Sequence, residues 1–225
     1  MRQAWSRPDR KQSIWIGFDP PEATAFAVAR HSILSKLKVP IPVRGLILSQ
    51  VRQEGLYNRP TEGVDGKLQD VISRTASYNG AMSTEFAISR FLTPQLASSG
   101  WAIFMDCDVL MRADPMELFA ACDPEKAVMV VKHQYAPPEG LKMDAQAQTN
   151  YNRKNWSSVM AFNCDHPSNK KLTAELINSV PGRDLHRFCW LDDDEIGELH
   201  PRWNWLVGHS SPQVEPAIVH FTEGG

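Results

Sequence analysis

The run Trp101-Ala102-Ile103-Phe104-Met105-Asp106-Cys107-Asp108-Val109-Leu110-Met111 sets the architecture of this chain. Trp101 to Met105 is an unbroken apolar stretch of strand length, short for a buried helix. Strands that apolar belong to α/β sheets covered by helices on both faces. The stretch passes directly into two carboxylates with one residue between them. On an extended backbone, positions i and i+2 face the same side, so Asp106 and Asp108 are expected to point one way and Cys107 the other. The carboxyl ends of central strands form the rim where open α/β sheets bind ligands. Two like charges at such a rim are costly unless a cation neutralises them. A hard divalent ion that also accepts diphosphate oxygens meets that need. Taken alone, Asp-x-Asp is equally well a solvated turn after a strand; the apolar lead-in favours the ligand site.

Working outward, residues 13–18 form a second apolar run, stopped by Asp19-Pro20-Pro21. Over residues 22–37 the pattern turns helical, with Phe26, Ala29, Ile33 and Leu37 at spacings of three and four, until Pro40 and Pro42 end it. Residues 43–48 give a further strand. Strand, helix, strand is the βαβ unit, whose strands run parallel. Residues 49–82 contain Gly55, Pro60, Gly63, Gly66 and Gly80 without periodicity, as expected of a long functional or mobile connection. A helix is expected over 83–96, capped by Ser83 and with Gly100 beyond its end. Downstream, a short helix (115–121), a strand (127–131), a Pro/Gly-containing segment (134–155), a strand (158–162), a helix (168–180), a short acidic helix (191–199) and a last strand (217–221) continue the alternation. The expected fold is α/β, with a mixed, mostly parallel sheet flanked by helices. Residues 1–12 read as a polar N-terminal extension and 13–225 as one domain.

Composition narrows the function. Hydrophobic residues make up 42% and charged residues 22% of the 225, the balance of a globular chain with a sizeable core. A net charge of −2 lacks the basic excess of nucleic-acid binders. Cys107, Cys122, Cys164 and Cys189 show no C-x-x-C pairing and no zinc spacing, as expected of free thiols in a reducing compartment. The first eleven residues carry no apolar core of a signal peptide, and no apolar run is long enough to span a bilayer. A cytoplasmic protein is expected, with peripheral contact at the inner face of a membrane left open.

Four blocks in order make the chain resemble the metal-dependent glycosyltransferases of GT-A fold, most closely the retaining family 8 enzymes and their bacterial relatives. They are Ile14-Trp15-Ile16-Gly17-Phe18-Asp19 with 27–33, then Thr84-Glu85-Phe86-Ala87-Ile88-Ser89-Arg90-Phe91, then Asp106-Cys107-Asp108. The fourth comprises Asp192-Asp193-Asp194-Glu195-Ile196, Pro201-Arg202-Trp203-Asn204 and His220-Phe221-Thr222-Glu223-Gly224. The resemblance implies a nucleotide-diphosphate sugar as donor, a UDP-sugar above all. The acceptor would be a hydroxyl on a glycan or glycolipid, in synthesis of polysaccharide or lipopolysaccharide type. It implies Mn²⁺ or Mg²⁺ held by Asp106, Asp108 and His220, a donor set of two carboxylates and an imidazole that suits Mn²⁺. By the same resemblance Phe18 and Asp19 lie near the base, and Arg90 near the diphosphate or donor sugar. Asp106 and Ser158 join the donor contacts. Asp193 stands at the position beneath the reacting sugar carbon, where the family carries an amide, and Asp192 or Asp194 would orient the acceptor. The catalytic set implied is Asp193, Asp192 and Arg90.

The sequence departs from the family twice. Trp156-Ser157-Ser158 stands where the family has Asn-Ala-Gly or Asn-Ser-Gly, and no lysine follows His220 to close on the diphosphate, so that clamp is missing or supplied differently. Trp190, Trp203 and Trp205 suit either core anchors or a sugar-stacking wall, and residues 49–82 either a lid over the donor or a surface loop. His31 and His186 have no context comparable to that of His220. Two alternatives share the same residues. One is a nucleotide-sugar binding protein without turnover, and the other a phosphatase or phosphotransferase with the first Asp of Asp-x-Asp as nucleophile.

Overall fold

A hydrophobic run stopped by two prolines opens the fold. The computed structural model describes residues 12–64, 66–133, 153 and 155–222. Strand β1 (Gln12–Phe18) ends at Asp19, and Pro20–Glu22 form a 3-10 turn that feeds helix α1 (Ala23–Lys36). Prolines suit that turn because their missing N–H groups would have no partner there. The chain returns as β2 (Val43–Ile47), parallel to β1 with Ile14 opposite Val43. Strand β5 (Trp101–Met105) lies on the other side of β1, also parallel, with Gln12 opposite Trp101. All five of its residues are buried. The main sheet continues through β8 (Val159–Asn163), β7 (Val128–Val130) and β9 (Ile196–Glu198) in the order β2-β1-β5-β8-β7-β9. Strand β8 runs antiparallel to both neighbours, while β7 and β9 are parallel. The mixed, mostly parallel α/β sheet is the expected one.

A second, three-stranded sheet decides the site. At Asp106 the chain leaves the main sheet and resumes at Val109 as β6 (Val109–Met111) in the order β10-β11-β6, with β10 spanning Trp205–Leu206 and β11 spanning Ile218–His220. Strand β11 pairs antiparallel with β6 and places His220 opposite Val109. Helix α1 packs on β6, and the Ser32 hydroxyl accepts from the Met111 N–H at 3.0 Å.

Several local expectations are corrected. Residues 49–82 are not irregular throughout: α2 (Leu48–Gln53) and the hairpin β3 (Thr61–Val64) with β4 (Lys67–Asp70) occupy part of them. The helix expected over 83–96 is broken into α3 (Phe86–Ser89), a 3-10 turn at Arg90–Leu92, and α4 (Thr93–Ala97), with Glu85 rather than Ser83 at the start. Pro94 explains the break, since its ring conflicts with the carbonyl four residues earlier, that of Arg90. Helix α5 (Pro115–Ala120) is capped by Asp114. Over 168–180 the chain forms a 3-10 turn (Pro167–Lys171) before α6 (Ala174–Ser179), which Thr173 caps, and α7 (Gly182–His186) follows. The acidic helix expected at 191–199 shrinks to a 3-10 turn at Asp193–Glu195, because the next residues pair with β7 as β9. The segment 134–155 lies outside the described residues except Arg153 and Asn155. So does the N-terminal extension except Gln12, which opens β1.

Glycine is required where α3 meets the sheet. A Cβ on Gly17 would stand 2.5 Å from the Phe86 ring, which is 1% exposed.

Candidate active site

The break between β5 and β6 puts two carboxylates at the carboxyl edge of the main sheet, and the small sheet brings an imidazole to them. Ligand atoms of Asp106, Asp108 and His220 all lie within 4.8 Å of one another. The His220 Nε2 is 3.2 Å from Asp108 Oδ1. The Phe221 N–H donates to the Asp108 carbonyl at 2.9 Å, locking strand β11 against the acidic turn. Cys107 turns away, its thiol donating to the Glu22 carboxylate at 2.9 Å. Burial, with Glu22 next, pushes that thiol far up, so it stays protonated.

Asp106 is engaged from two sides. Its N–H donates to the Ser158 carbonyl at 2.9 Å, as the antiparallel pairing of β5 with β8 requires. The Arg90 guanidinium is 2.9 Å from its Oδ1 and donates to the Ser157 carbonyl at 2.9 Å. Arg90 itself is buried, with its guanidinium over the Phe86 and Phe104 rings. Burial pushes the Asp106 carboxyl up to about 6; the Arg90 and His220 charges pull it down and Asp108 adds to the rise. For His220, burial works against the charged form, but the Asp108 contact and both carboxylate charges outweigh it and raise the ring above its ordinary value. With the His220 ring neutral, as a metal ligand must be, the two carboxylates outweigh the one guanidinium and a dication would balance the difference.

The donor set fits a divalent metal. Asp106 Oδ1 and Asp108 Oδ1 are buried and accept no aligned hydrogen bond; their near neighbours are the Arg90 guanidinium at 2.9 Å and the His220 ring at 3.2 Å. Carboxylate oxygens with an imidazole nitrogen are ligands for Mn²⁺ or Mg²⁺. Cavities open on both sides. Asp106 lines one of about 580 Å³, together with Arg90, Ser157, Ser158, His186 and Tyr78. Asp108 lines the other, about 490 Å³, with Pro21, Ala25, Val28, Cys107 and Phe221. The first is walled largely by polar side chains, the second largely by apolar ones.

The remaining candidate residues divide. Ser158 lines the first cavity, and its hydroxyl donates to the Asn155 carbonyl at 2.7 Å. Asp19 is 8% exposed; burial raises its carboxyl, while the Glu85 N–H holds it down in part. Phe18 packs edge-on against Phe26, ring centroids 5.2 Å apart. Asp192 and Asp193 are not brought to the cluster. The Asp192 N–H donates to the Glu195 carboxylate at 2.9 Å, and Asp193 pairs with Arg153 on the surface, its side chain 88% exposed. Neither lines the first cavity. Trp190 and Trp203 are buried in the core, whereas Trp205 donates from its indole to the Ser211 carbonyl at 2.9 Å.

Two residues without an assigned role in the sequence stand at the site. His186 lines the first cavity, its Nδ1 2.7 Å from the Ser157 hydroxyl. Asn204, fully buried, contacts His220 Nδ1 at 2.9 Å. An amide between two tryptophans was its signal, because buried amides require partners.

No family model matches the chain. Protein CDI of Arabidopsis thaliana is 44% identical over 218 residues, covering 94% of this chain and 78% of the relative. The chain belongs to the Protein CDI family. Among solved structures, the WbbM bifunctional glycosyltransferase superposes with a TM-score of 0.57 at 14% identity, covering 96% of this chain. The chain spans 46% of that protein's length. The galactosyltransferase LgtC, solved with donor and acceptor sugar analogues, gives 0.54 at 13% identity over 93% of this chain and 86% of its own. Mouse xyloside xylosyltransferase 1 gives 0.55 at 12% over 95% and 97%. These likenesses show the fold, which is GT-A. All four cysteines are free. Among the described residues no helix is long and apolar enough to cross a membrane.

Proposed function

We propose that the protein is a metal-dependent, retaining glycosyltransferase of the family 8 kind. It moves a sugar from a nucleotide-diphosphate sugar, a UDP-sugar, to a hydroxyl of a glycan or glycolipid. The observation that carries this is the Asp106–Asp108–His220 cluster, its ligand atoms within 4.8 Å of one another, standing between a polar and an apolar cavity at the carboxyl edge of the sheet. Asp106, Asp108 and His220 would hold Mn²⁺ or Mg²⁺, which when bound supplies Lewis-acid stabilisation of the departing diphosphate. Arg90 adds a fixed, desolvated cation beside Asp106, placed before the reaction begins and so needing no reorganisation. Ser157 and Ser158 line the polar cavity that receives the sugar, their hydroxyls held by His186 and the Asn155 carbonyl. The apolar cavity beside Asp108 seats the nucleoside; Phe18 and Asp19, at the end of β1, are assigned to the base by the resemblance alone, since neither lines that cavity. Holding donor and acceptor in one cleft supplies the remaining acceleration. We place the protein in the cytoplasm on its unpaired thiols.

Binding of UDP measured by calorimetry with and without Mn²⁺ tests the site. Wild type is expected to bind UDP tightly only with the metal, and Asp108→Asn to lose that dependence. Metal-dependent binding of wild-type strength in the variant overturns the site.

One observation favours the binding protein without turnover: neither Asp192 nor Asp193 lines the polar cavity. If Asp193 acts beneath the reacting carbon, Asp193→Asn lowers transfer while leaving UDP binding intact. Tight UDP·Mn²⁺ binding with no transfer or hydrolysis across an acceptor panel supports the binder instead.

A further inference from the structure

We propose that Glu22, rather than Asp19, reads the base of the nucleotide, selecting bases that present a ring N–H over bases that present a ring lone pair. This rests on the nucleotide-site reading above. Three observations single Glu22 out. It lines the apolar cavity beside Asp108, which Asp19 does not. It stands at the N-cap of α1, where backbone N–H groups are free to be capped, yet its side chain caps none of them. Among the described residues it pairs with no lysine or arginine. Its side-chain contact is the Cys107 thiol, 2.9 Å from Oε2.

The walls of the cavity are largely apolar, which suits the faces of a planar base. Of the described side chains that line it, only Glu22, Thr24, Cys107 and Asp108 carry polar atoms. Asp108 belongs to the metal cluster, Cys107 faces Glu22, and Thr24 is exposed on α1. The Glu22 carboxylate is left as the group that meets the edge of a base. An ionised carboxylate accepts and never donates. The base edge must therefore bring a proton, because an acceptor set against an acceptor in apolar walls stays unpaired at a cost. Uracil N3–H and guanine N1–H bring one; cytosine N3 and adenine N1 bring a lone pair. Uracil is thereby favoured over cytosine, a base of nearly the same shape.

Calorimetry with UDP and with CDP, each in the presence of Mn²⁺, tests this on the intact chain. Wild type is expected to bind UDP on the order of 10- to 100-fold more tightly than CDP, the effect of one buried polar group left unpaired. Glu22→Gln keeps the shape and adds a donor, so it is expected to strengthen CDP, weaken UDP and close most of that gap. A ratio in Glu22→Gln equal to that of wild type refutes the role. So does a changed ratio in Asp19→Asn alone, which gives the reading to Asp19. A loss in Glu22→Gln that is equal for UDP and CDP and absent for 2′-deoxy-UDP places the carboxylate on the ribose and overturns the proposal as well. If Glu22→Gln does not fold, UDP against N3-methyl-UDP on wild type decides, and equal affinities overturn it. A wild type that binds neither nucleotide with Mn²⁺ removes the nucleotide site itself. Equal binding of UDP and CDP leaves that site standing and removes only the base reading.

Discussion

His186 stands at the cavity wall with its Nδ1 on the Ser157 hydroxyl and its ring edge-on to Phe91, centroids 5.2 Å apart. Burial, then the Arg90 charge, pushes it down to about 3. In the unfolded chain a histidine titrates near about 6.5. Between those values the unfolded chain holds a proton that the folded chain does not, so stability is full above the upper value and falls as pH drops below it. Each pH unit lowers stability by at most about 1.4 kcal/mol, and by less here because the ring is partly exposed. His133, pushed down to about 4 mainly by burial, adds in the same sense. Urea unfolding at about pH 7 and about pH 5 is expected to show a smaller acid loss for His186→Gln than for wild type. Equal losses would show that the ring is not held neutral. Arg90→Met belongs to the same scale. It leaves the Asp106 carboxylate facing Asp108 with no guanidinium, and removal of one partner of a buried pair costs about 3–5 kcal/mol. Thermal melts should show that loss, with part of it recovered on adding Mn²⁺; an unchanged melting temperature contradicts the pairing.

At the scale of elements, the hairpin β3–β4 is tied to α6 by charge rather than by an apolar face. Arg59, fully buried, donates from Nε to Asp70 at 3.0 Å and from one terminal nitrogen to the Ile177 and Val180 carbonyls at 2.5 and 2.7 Å. Asp70 also accepts from the Ser73 N–H and hydroxyl, and Ser73 accepts from the Gly182 N–H at 2.8 Å. Arg59→Met would leave the buried Asp70 carboxylate without its countercharge, held only by Ser73, and the Ile177 and Val180 carbonyls without this donor. A loss of about 3–5 kcal/mol is expected in urea, together with faster proteolysis across residues 61–70. A neutral variant with an undisturbed hairpin would show that apolar packing alone holds it. None of this was legible beforehand, because arginine and aspartate eleven positions apart carry no periodicity. The strand at 101–105 was legible to the residue, since unbroken apolar runs leave one plausible state. Where strand pairing competed with a helix start, as at 191–199, local signals misled: the Asp192–Glu195 turn forms, and pairing with β7 then takes over.

For the whole molecule, a ligand that binds only the folded chain raises its stability. At a free concentration 100 times Kd the gain is about 2.7 kcal/mol. For a chain of this size that corresponds to a rise of roughly 5–10 °C in Tm. A panel of nucleotide diphosphates and their sugars with Mn²⁺ should show such a rise for UDP compounds, absent in Asp108→Asn. A panel with no rise at saturating ligand would show that the cluster binds no nucleotide.

Residue order alone determined the class of the fold and the identity of the acidic pair. Burial of a five-residue apolar run and the βαβ constraint are local physics, written in composition and spacing. Only the tertiary structure decided that β11 returns antiparallel to β6, so that a ring from residue 220 comes to rest 3.2 Å from a carboxylate at 108. It alone also gave Arg90 to Asp106, took Asp193 out to Arg153, and set Asn204 behind His220. Contacts between residues far apart in the chain arise from how strands pair and how buried polar groups find partners, and neither is encoded at any one position.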